Sequence, residues 1–372
     1  MIVGLKISQY KGLKKCELTD LKTINILIGR NNSGKSSVLE GLYLASAAFR
    51  YEDPLRSEFF ENKLKYLMNR RCPRNLFWAS GKEVLWYNYD ESLEIGLTIV
   101  LSNGSEIDIK LYNWHEHPLI TVEPELLKAI TPGRDAFCLV CSSVFKVETG
   151  AASVTRIDRS KLTPLLDKIT GGKGIELMEL MSGVNFIDVP LLHHFGSIER
   201  ALWSKLVLKR LDKLLVEVLK SGYDVDAEDL TYIPLRDIYQ LVVKLPKTAV
   251  RVDDLGDGAR YSLVLAMVAS LMRNSILLIE EPESHQHPGG LAKTLEVLVE
   301  LVKDNKLQVF ISTHSMELVR LLQAISNEEG VDTAIFFLER KEDGTVDVRH
   351  ISPQDLEDLV KIGLDPRFLD LI

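Results

Sequence analysis

The chain has 372 residues, of which 46% are hydrophobic and 26% charged. That is the balance of a folded chain with room for one large domain or two ordinary ones, and it excludes a disordered or fibrous class. Its formal net charge of −8 excludes nucleic-acid binding by bulk attraction, so any such contact must use a local basic patch.

Residues 1–15 alternate apolar and polar, with no apolar run ahead of a small-residue cleavage site; this predicts no secretory leader. Residues 2–8 (IVGLKIS) and 24–28 (INILI) read as strands. The second runs into GRNNSGKSS, and an apolar helix is expected from about 34 to 49. Residues 93–99 and 107–111 alternate apolar and polar around Asn103-Gly104. That dipeptide predicts a tight hairpin with positive φ at both residues, hence an antiparallel β element. Leu, Val and Lys at helical spacing over 197–221, and in parts of 160–182, make the middle region mainly helical. Residues 261–279 are apolar but broken by Arg273, Asn274 and Ser275. They read as a core helix feeding the short strand 275–280, not a membrane span. Residues 308–312 and 334–338 are further buried strands, separated by helices at about 289–303 and 315–325. Asp343-Gly344 marks a late hairpin turn before VDVRHI. There is no internal repeat or low-complexity run.

Several polar clusters carry little chemistry on this reading. Cys16, Cys72, Cys138 and Cys141 are few and scattered, which suits a reducing, cytoplasmic compartment. Cys138 and Cys141 form a CxxC within FCLVCSSVF; without a second ligand pair they read as small residues of a buried strand. Lys63, Lys65, Arg70, Arg71 and Arg74 crowd one stretch near Tyr66 and Phe77. A solvated face is expected there, with a nucleic-acid patch as the alternative. Lys205, Lys209, Arg210 and Lys213 are read the same way, and His115 and His117 as surface residues.

Four motifs point to chemistry. Gly29-Arg30-Asn31-Asn32-Ser33-Gly34-Lys35-Ser36 is a complete GxxxxGK[ST] between a strand and a helix. Gly29 and Gly34 let the loop curl so that successive N–H groups face phosphate oxygens, and the helix adds its positive end. Lys35 reaches the β- and γ-phosphates, and the Ser36 hydroxyl is a ligand for Mg²⁺. Binding of ATP with Mg²⁺ is therefore expected, with Gly29 to Ser37 as the phosphate-binding set. Ile276–Glu281 is an apolar strand ending in two acids, the pattern of a Walker B segment. Glu280 would hold the Mg²⁺ shell, and Glu281 would orient or deprotonate the attacking water. His314, in Thr313-His314-Ser315 after the strand QVFIS, can reach a γ-phosphate and sense its presence. In Leu255–Arg260, Gly256, Asp257 and Gly258 open a helix and can present N–H groups to an anion; alone this could be a capping turn.

Taken in this order, the motifs resemble ABC-type ATPase heads. ILLIEEPESHQHP, VFISTHSMELV and the opening LKISQYKGLKKCELTDLKTINILIGRNNSGKSSVLEGL are similar to the AAA-named ATPases of the overcoming-lysogenization-defect (OLD) and SMC-like group. The resemblance is strong over 1–45 and 250–340 and weak between. It implies an α/β P-loop NTPase head with an antiparallel β element and a helical insertion. The expected organisation is 1–155 as the first part of the core, 156–247 as the insertion, and 248–372 as the second part with a short tail. It also implies an ATP-dependent head-to-tail homodimer, with ATP between the P-loop of one copy and the Gly256–Gly258 turn of the other, and His287-Pro288 near the seam. The sequence departs from the family in three ways. Glu280 stands where an Asp is usual, no glutamine occurs between Gln9 and Gln240, and the short stretch after His314 is not expected to hold the Toprim nuclease domain that many members carry. Asp355, Glu357 and Asp358 read as a solvated face, so nuclease activity is not expected. The leading function is an ATP-gated clamp or switch in DNA maintenance or anti-phage defence, acting on DNA or with a separate effector. The alternatives are the nucleotide-binding subunit of a membrane transporter, disfavoured by the missing Gln and the non-LSGGQ turn, and a sensor with little turnover, disfavoured by Glu281.

Overall fold

The computed structural model describes residues 1–358 apart from 59, 61, 71–80, 115–116, 123–134, 141–142, 149–153, 158–161, 224, 236–237, 285, 353 and 357. Its centre is a sheet of six strands in the order β10-β14-β15-β3-β16-β17. β3 (Ile24–Ile28), β14 (Ile276–Glu280) and β15 (Gln308–Ser312) are buried at every position. Their unbroken apolar runs are what a parallel sheet covered on both faces requires. β10 (Asn185–Ile187), β14, β15, β3 and β16 (Thr333–Arg340) are parallel. β17 (Val346–Ile351) returns antiparallel at the edge, through a turn in which Gly344 takes φ +85°.

A second, antiparallel sheet has the order β2-β1-β4-β5-β6, from β1 (Ile2–Tyr10), β2 (Leu13–Leu18), β4 (Ile95–Leu101), β5 (Glu106–Trp114) and β6 (His117–Val122). β4 is buried at alternate positions, so one face is packed and the other wet. Helix α1 (Lys35–Ala47) lies with one core. Leu27, Leu278, Phe310 and Phe336 on one face of the central sheet join Val38, Leu39 and Leu42 of α1 and Ile7, Leu97 and Ile99 of the second sheet. Each fully buried apolar side chain of this kind contributes about 1.5–3 kcal/mol. The opposite face, with Ile26, Ile279 and Ile311, packs against α8 (Asp257–Leu271), α9 (Pro288–Asn305) and α10 (Met316–Glu329). The period of two along each strand thus decides which core a side chain enters.

The segment 156–247 holds α3 (Leu162–Thr170), α4 (Gly174–Ser182), α5 (Val189–Leu192), α6 (Phe195–Leu208) and α7 (Asp212–Tyr223). It is not purely helical. β10 belongs to the central sheet, and β11 (Asp229–Leu235) pairs antiparallel with β12 (Ile238–Lys244). β12 in turn pairs with β13 (Ala249–Arg251). A further meander contains β7 (Asp135–Val140), β8 (Ser143–Glu148) and β9 (Val154–Ile157). Cys138 lies in β7, as expected of a strand residue, while Cys141, Cys72, His115, Arg71, Arg74, Phe77 and Glu357 lie outside the described residues. Residues 261–279 divide into α8 and β14, and no described helix is long and apolar enough to cross a membrane.

Two expectations need correction. The β4–β5 loop spans Ser102–Ser105, with Val100 opposite Glu106, and only Gly104 has positive φ (+83°). The register thus demands a longer loop than a two-residue Asn-Gly turn. Of the described cations in the Lys63–Arg70 stretch, Lys65 is exposed as read, but Lys63 and Arg70 do not lie on a solvated face. The stretch forms helix α2 (Lys63–Asn69), with Lys63 1% exposed and the Arg70 side chain 4% exposed. Lys205, Lys209, Arg210 and Lys213 are exposed, as read.

Candidate nucleotide site

P-loop, acids and histidine come together because each follows the carboxyl end of a neighbouring parallel strand, where ligand crevices of open α/β sheets lie. Gly29 leaves β3 at φ +142° and Gly34 precedes α1 at φ +104°. A Cβ at Gly29 would stand 2.4 Å from the Leu338 carbonyl oxygen, and one at Gly34 2.7 Å from Leu13 Cδ2. Both glycines are therefore demanded by backbone and packing. Asn32 turns the loop at φ +65°. Arg30, Asn31 and Asn32 are exposed, and Ser33 is buried with its hydroxyl unpartnered among the described residues. Ser36 and Ser37 are half-buried in the first turn of α1.

Lys35 opens α1 and folds back over the loop. Its Nζ donates to the carbonyls of Gly29 at 2.8 Å and Arg30 at 2.9 Å. Burial pulls its pKa down to about 8, against the upward pull of Glu281, Glu283 and Glu280. It therefore carries its charge at neutral pH, fixed where the loop closes.

Glu280 ends β14 near the Ser36 hydroxyl, whose influence favours the charged carboxylate. Burial raises the Glu280 pKa, opposed first by Arg70, whose guanidinium donates to Oε2. Glu281 sits at φ +45° with its N–H donating to the Ser312 carbonyl at 2.9 Å. This left-handed geometry is strained for a non-glycine residue. It turns the Glu281 side chain to within 3.5 Å of His314 Nε2, both groups being about a third exposed (38% and 36%). An acid and an imidazole that close, open to solvent beside a lysine, can hold a water and pass on its proton.

The signature-like turn stands apart. Gly256 caps α8 at φ −58°, and a Cβ there would meet nothing within 4 Å among the described residues. Asp257 is exposed and paired with Arg260 at 3.4 Å, Gly258 is buried in the first turn, and Arg260 lies over the Phe195 ring. His287 caps α9, accepting from the Gly289 N–H at 3.3 Å. Asp355 and Asp358 are exposed and hold Ser352 and Gln354.

The donor set fits a nucleotide with a hard divalent cation. Ser36 and Glu280 offer oxygen ligands side by side, as Mg²⁺ prefers. Neither glycine of the loop, Gly29 or Gly34, has room for a Cβ.

Sequence reading missed the groups behind this cluster. Glu283 Oε1 accepts from Thr313 Oγ1 at 2.6 Å and from the His314 N–H at 2.9 Å, pinning the histidine turn to the acid loop. Glu40 receives Lys11 and Arg70. Asp188 receives Arg56 at 2.8 Å and Arg70 at 2.7 Å. One signal was available: Glu40 is a lone acid in an otherwise apolar stretch of α1, and a buried acid needs a cationic partner.

The family model described as "AAA ATPase domain" matches residues 1–121 and 207–319. An ATP/GTP phosphatase of Helicobacter pylori is 20% identical over 348 residues, covering 88% of this chain and 89% of its own. The DNA replication and repair protein RecF of Vibrio cholerae is 34% identical over 74 residues, 19% of this chain and 20% of RecF. An uncharacterised protein of Methanocaldococcus jannaschii is 35% identical over 86 residues, 23% of this chain and 75% of its own. An SMC head solved with the C-terminal winged-helix domain of ScpA superposes with TM-score 0.52 at 14% identity, over 96% of this chain and 99% of that one. That likeness shows a P-loop ATPase head fold. Since the family model spans more than half of its residues, the chain belongs to the AAA ATPase domain family.

Proposed function

We propose that this chain is a Mg²⁺-dependent ATPase of the OLD/SMC-like, ABC-type kind, working as an ATP-gated dimeric clamp. The observation that carries the reading is the Glu281–His314 pair beside Lys35, at the ends of adjacent parallel strands. The N–H groups of Gly29 to Ser37 cradle the phosphates, and Lys35 neutralises charge at the β- and γ-positions. Ser36 and Glu280 hold Mg²⁺, which supplies charge neutralisation. Glu281 orients the attacking water and takes its proton. His314, held through its backbone by Glu283, meets the γ-phosphate.

The dimer rests on Gly256. Neither its backbone angle nor its packing within the chain calls for glycine. A close approach by the nucleotide of a second copy does, with Asp257 and Gly258 beside it. A role with DNA or a separate effector protein is supported by the partial likeness to RecF and by the SMC head, an argument from analogy.

The test is ATP turnover by wild type and Glu281→Gln, with sedimentation of both with and without ATP and Mg²⁺. Turnover should fall by at least about 10²-fold in the variant, which should accumulate as an ATP-dependent dimer. Normal turnover by the variant would overturn the role given to Glu281. Turnover without any response of association to ATP would overturn the clamp.

A further inference from the structure

Arg70 binds three carboxylates from distant parts of the chain. Its Nη1 donates to Glu40 in α1, its Nε to Asp188 at 2.7 Å ahead of α5, and its Nη2 to Glu280 at the end of β14. The side chain is 4% exposed, Glu40 and Asp188 are fully buried, and Glu280 is 11% exposed. A planar guanidinium reaches three separated acids through three different nitrogens; a lysine ammonium has three donors but on one atom, without the rigid fork. The cluster continues through Arg56, which joins Asp188 to Asp53, and through Lys11, which joins Glu40.

A buried ion cluster can be scaffolding alone. Two features point further. Glu280 lies near the Ser36 hydroxyl and accepts from Arg70 on Oε2, so the guanidinium fixes the direction of the acid assigned to the Mg²⁺ shell. Asp188 also caps α5, accepting from the Leu191 N–H at 3.2 Å, so Glu280 is linked to α5 through two side chains, Arg70 and Asp188. With no glutamine between Gln9 and Gln240, this link from the site into the middle of the chain runs through arginine.

We infer that Arg70 is a positioning residue that aims Glu280 at the metal–nucleotide site and couples that site to α1 and α5. The inference rests on the nucleotide reading above. Partners that orient a metal-ligating carboxylate set metal affinity as well as rate, so the test is a binding measurement.

Calorimetric titration of the full chain with a non-hydrolysable ATP analogue, in Mg²⁺ and again in EDTA, would compare wild type, Arg70→Gln, Arg70→Lys and Arg56→Lys, with a thermal melt of each. In Arg70→Gln the gain in affinity that Mg²⁺ confers should shrink by about 10–100-fold, with affinity in EDTA within about threefold of wild type. Arg70→Lys should lose part of the gain. Arg56→Lys, in the same cluster but without contact to Glu280, should lower the melting temperature and keep the gain in full. Folded Arg70 variants with the wild-type Mg²⁺ gain would reduce Arg70 to scaffolding. If Arg70→Gln does not fold, Arg70→Lys, which keeps the buried charge, decides the matter. A wild type that binds no analogue overturns the nucleotide reading and this inference together, an outcome distinct from variants that bind like wild type.

Discussion

Lys63 shows how far one buried group can depart from its sequence context. Its Nζ donates to Ser46 Oγ at 2.6 Å and lies 5.1 Å from the Tyr43 ring centre. Burial pulls its pKa down from 10.5 to about 7, with Asp53 pulling the other way. Between those two values the unfolded chain keeps a proton that the folded chain has released. Stability from this group therefore rises with pH across the window, and the penalty of the charged amine is complete below about 7. Measured as melting temperature, wild type should gain on Lys63→Met from pH 7 towards 10.5; a constant offset between the two would mean that Lys63 ionises as an ordinary lysine. The burial was legible in part. Lys63, Tyr66, Leu67 and Arg70 recur at helical spacing, and Lys63, Tyr66 and Leu67 lie buried in α2. The stripe reads as a core-facing side, but charge density drew the reading towards solvent. The carboxylates that receive Arg70 stand 30, 118 and 210 positions away, a separation at which no local pattern can name a partner.

At the scale of elements, a glycine matters according to what surrounds it. Gly330 ends α10 at φ +69° with nothing within 4 Å of a Cβ, so Gly330→Ala should cost about 1 kcal/mol through the left-handed backbone alone. Gly29→Ala adds a backbone clash with Leu338 at 2.4 Å and should destabilise by more, about 1–3 kcal/mol, while also losing nucleotide affinity. Urea unfolding and analogue titration of both variants check this. Equal losses of affinity would show that the shape of the P-loop does not depend on Gly29. Strands with strong local signals were legible almost to the residue: β3 and β15 match the expected 24–28 and 308–312. β10 was not, because three residues (Asn185–Ile187) are too few to show a period. The β4–β5 loop was misread for a related reason: its length follows from strand register, which the other strand helps to set.

For the whole molecule, the order of motifs along the chain announced a P-loop head, because each motif is local and each follows its own strand. What a second copy would do is written only in surfaces, and Gly256 is the position where that can be tested cleanly. Its surroundings are open among the described residues, so Gly256→Arg should leave stability within about 0.5 kcal/mol of wild type, as surface substitutions do. In a two-fold dimer the same change enters both composite sites at once, where a long side chain would block close approach to nucleotide. Placed in the Glu281→Gln background, Gly256→Arg should abolish the ATP-dependent dimer in sedimentation, while analogue binding by the monomer stays intact because the P-loop is untouched. A double variant that dimerises as readily as Glu281→Gln alone would remove the Gly256 turn from the interface. The nucleotide would then have to be enclosed by some other surface of the partner, or by this chain alone.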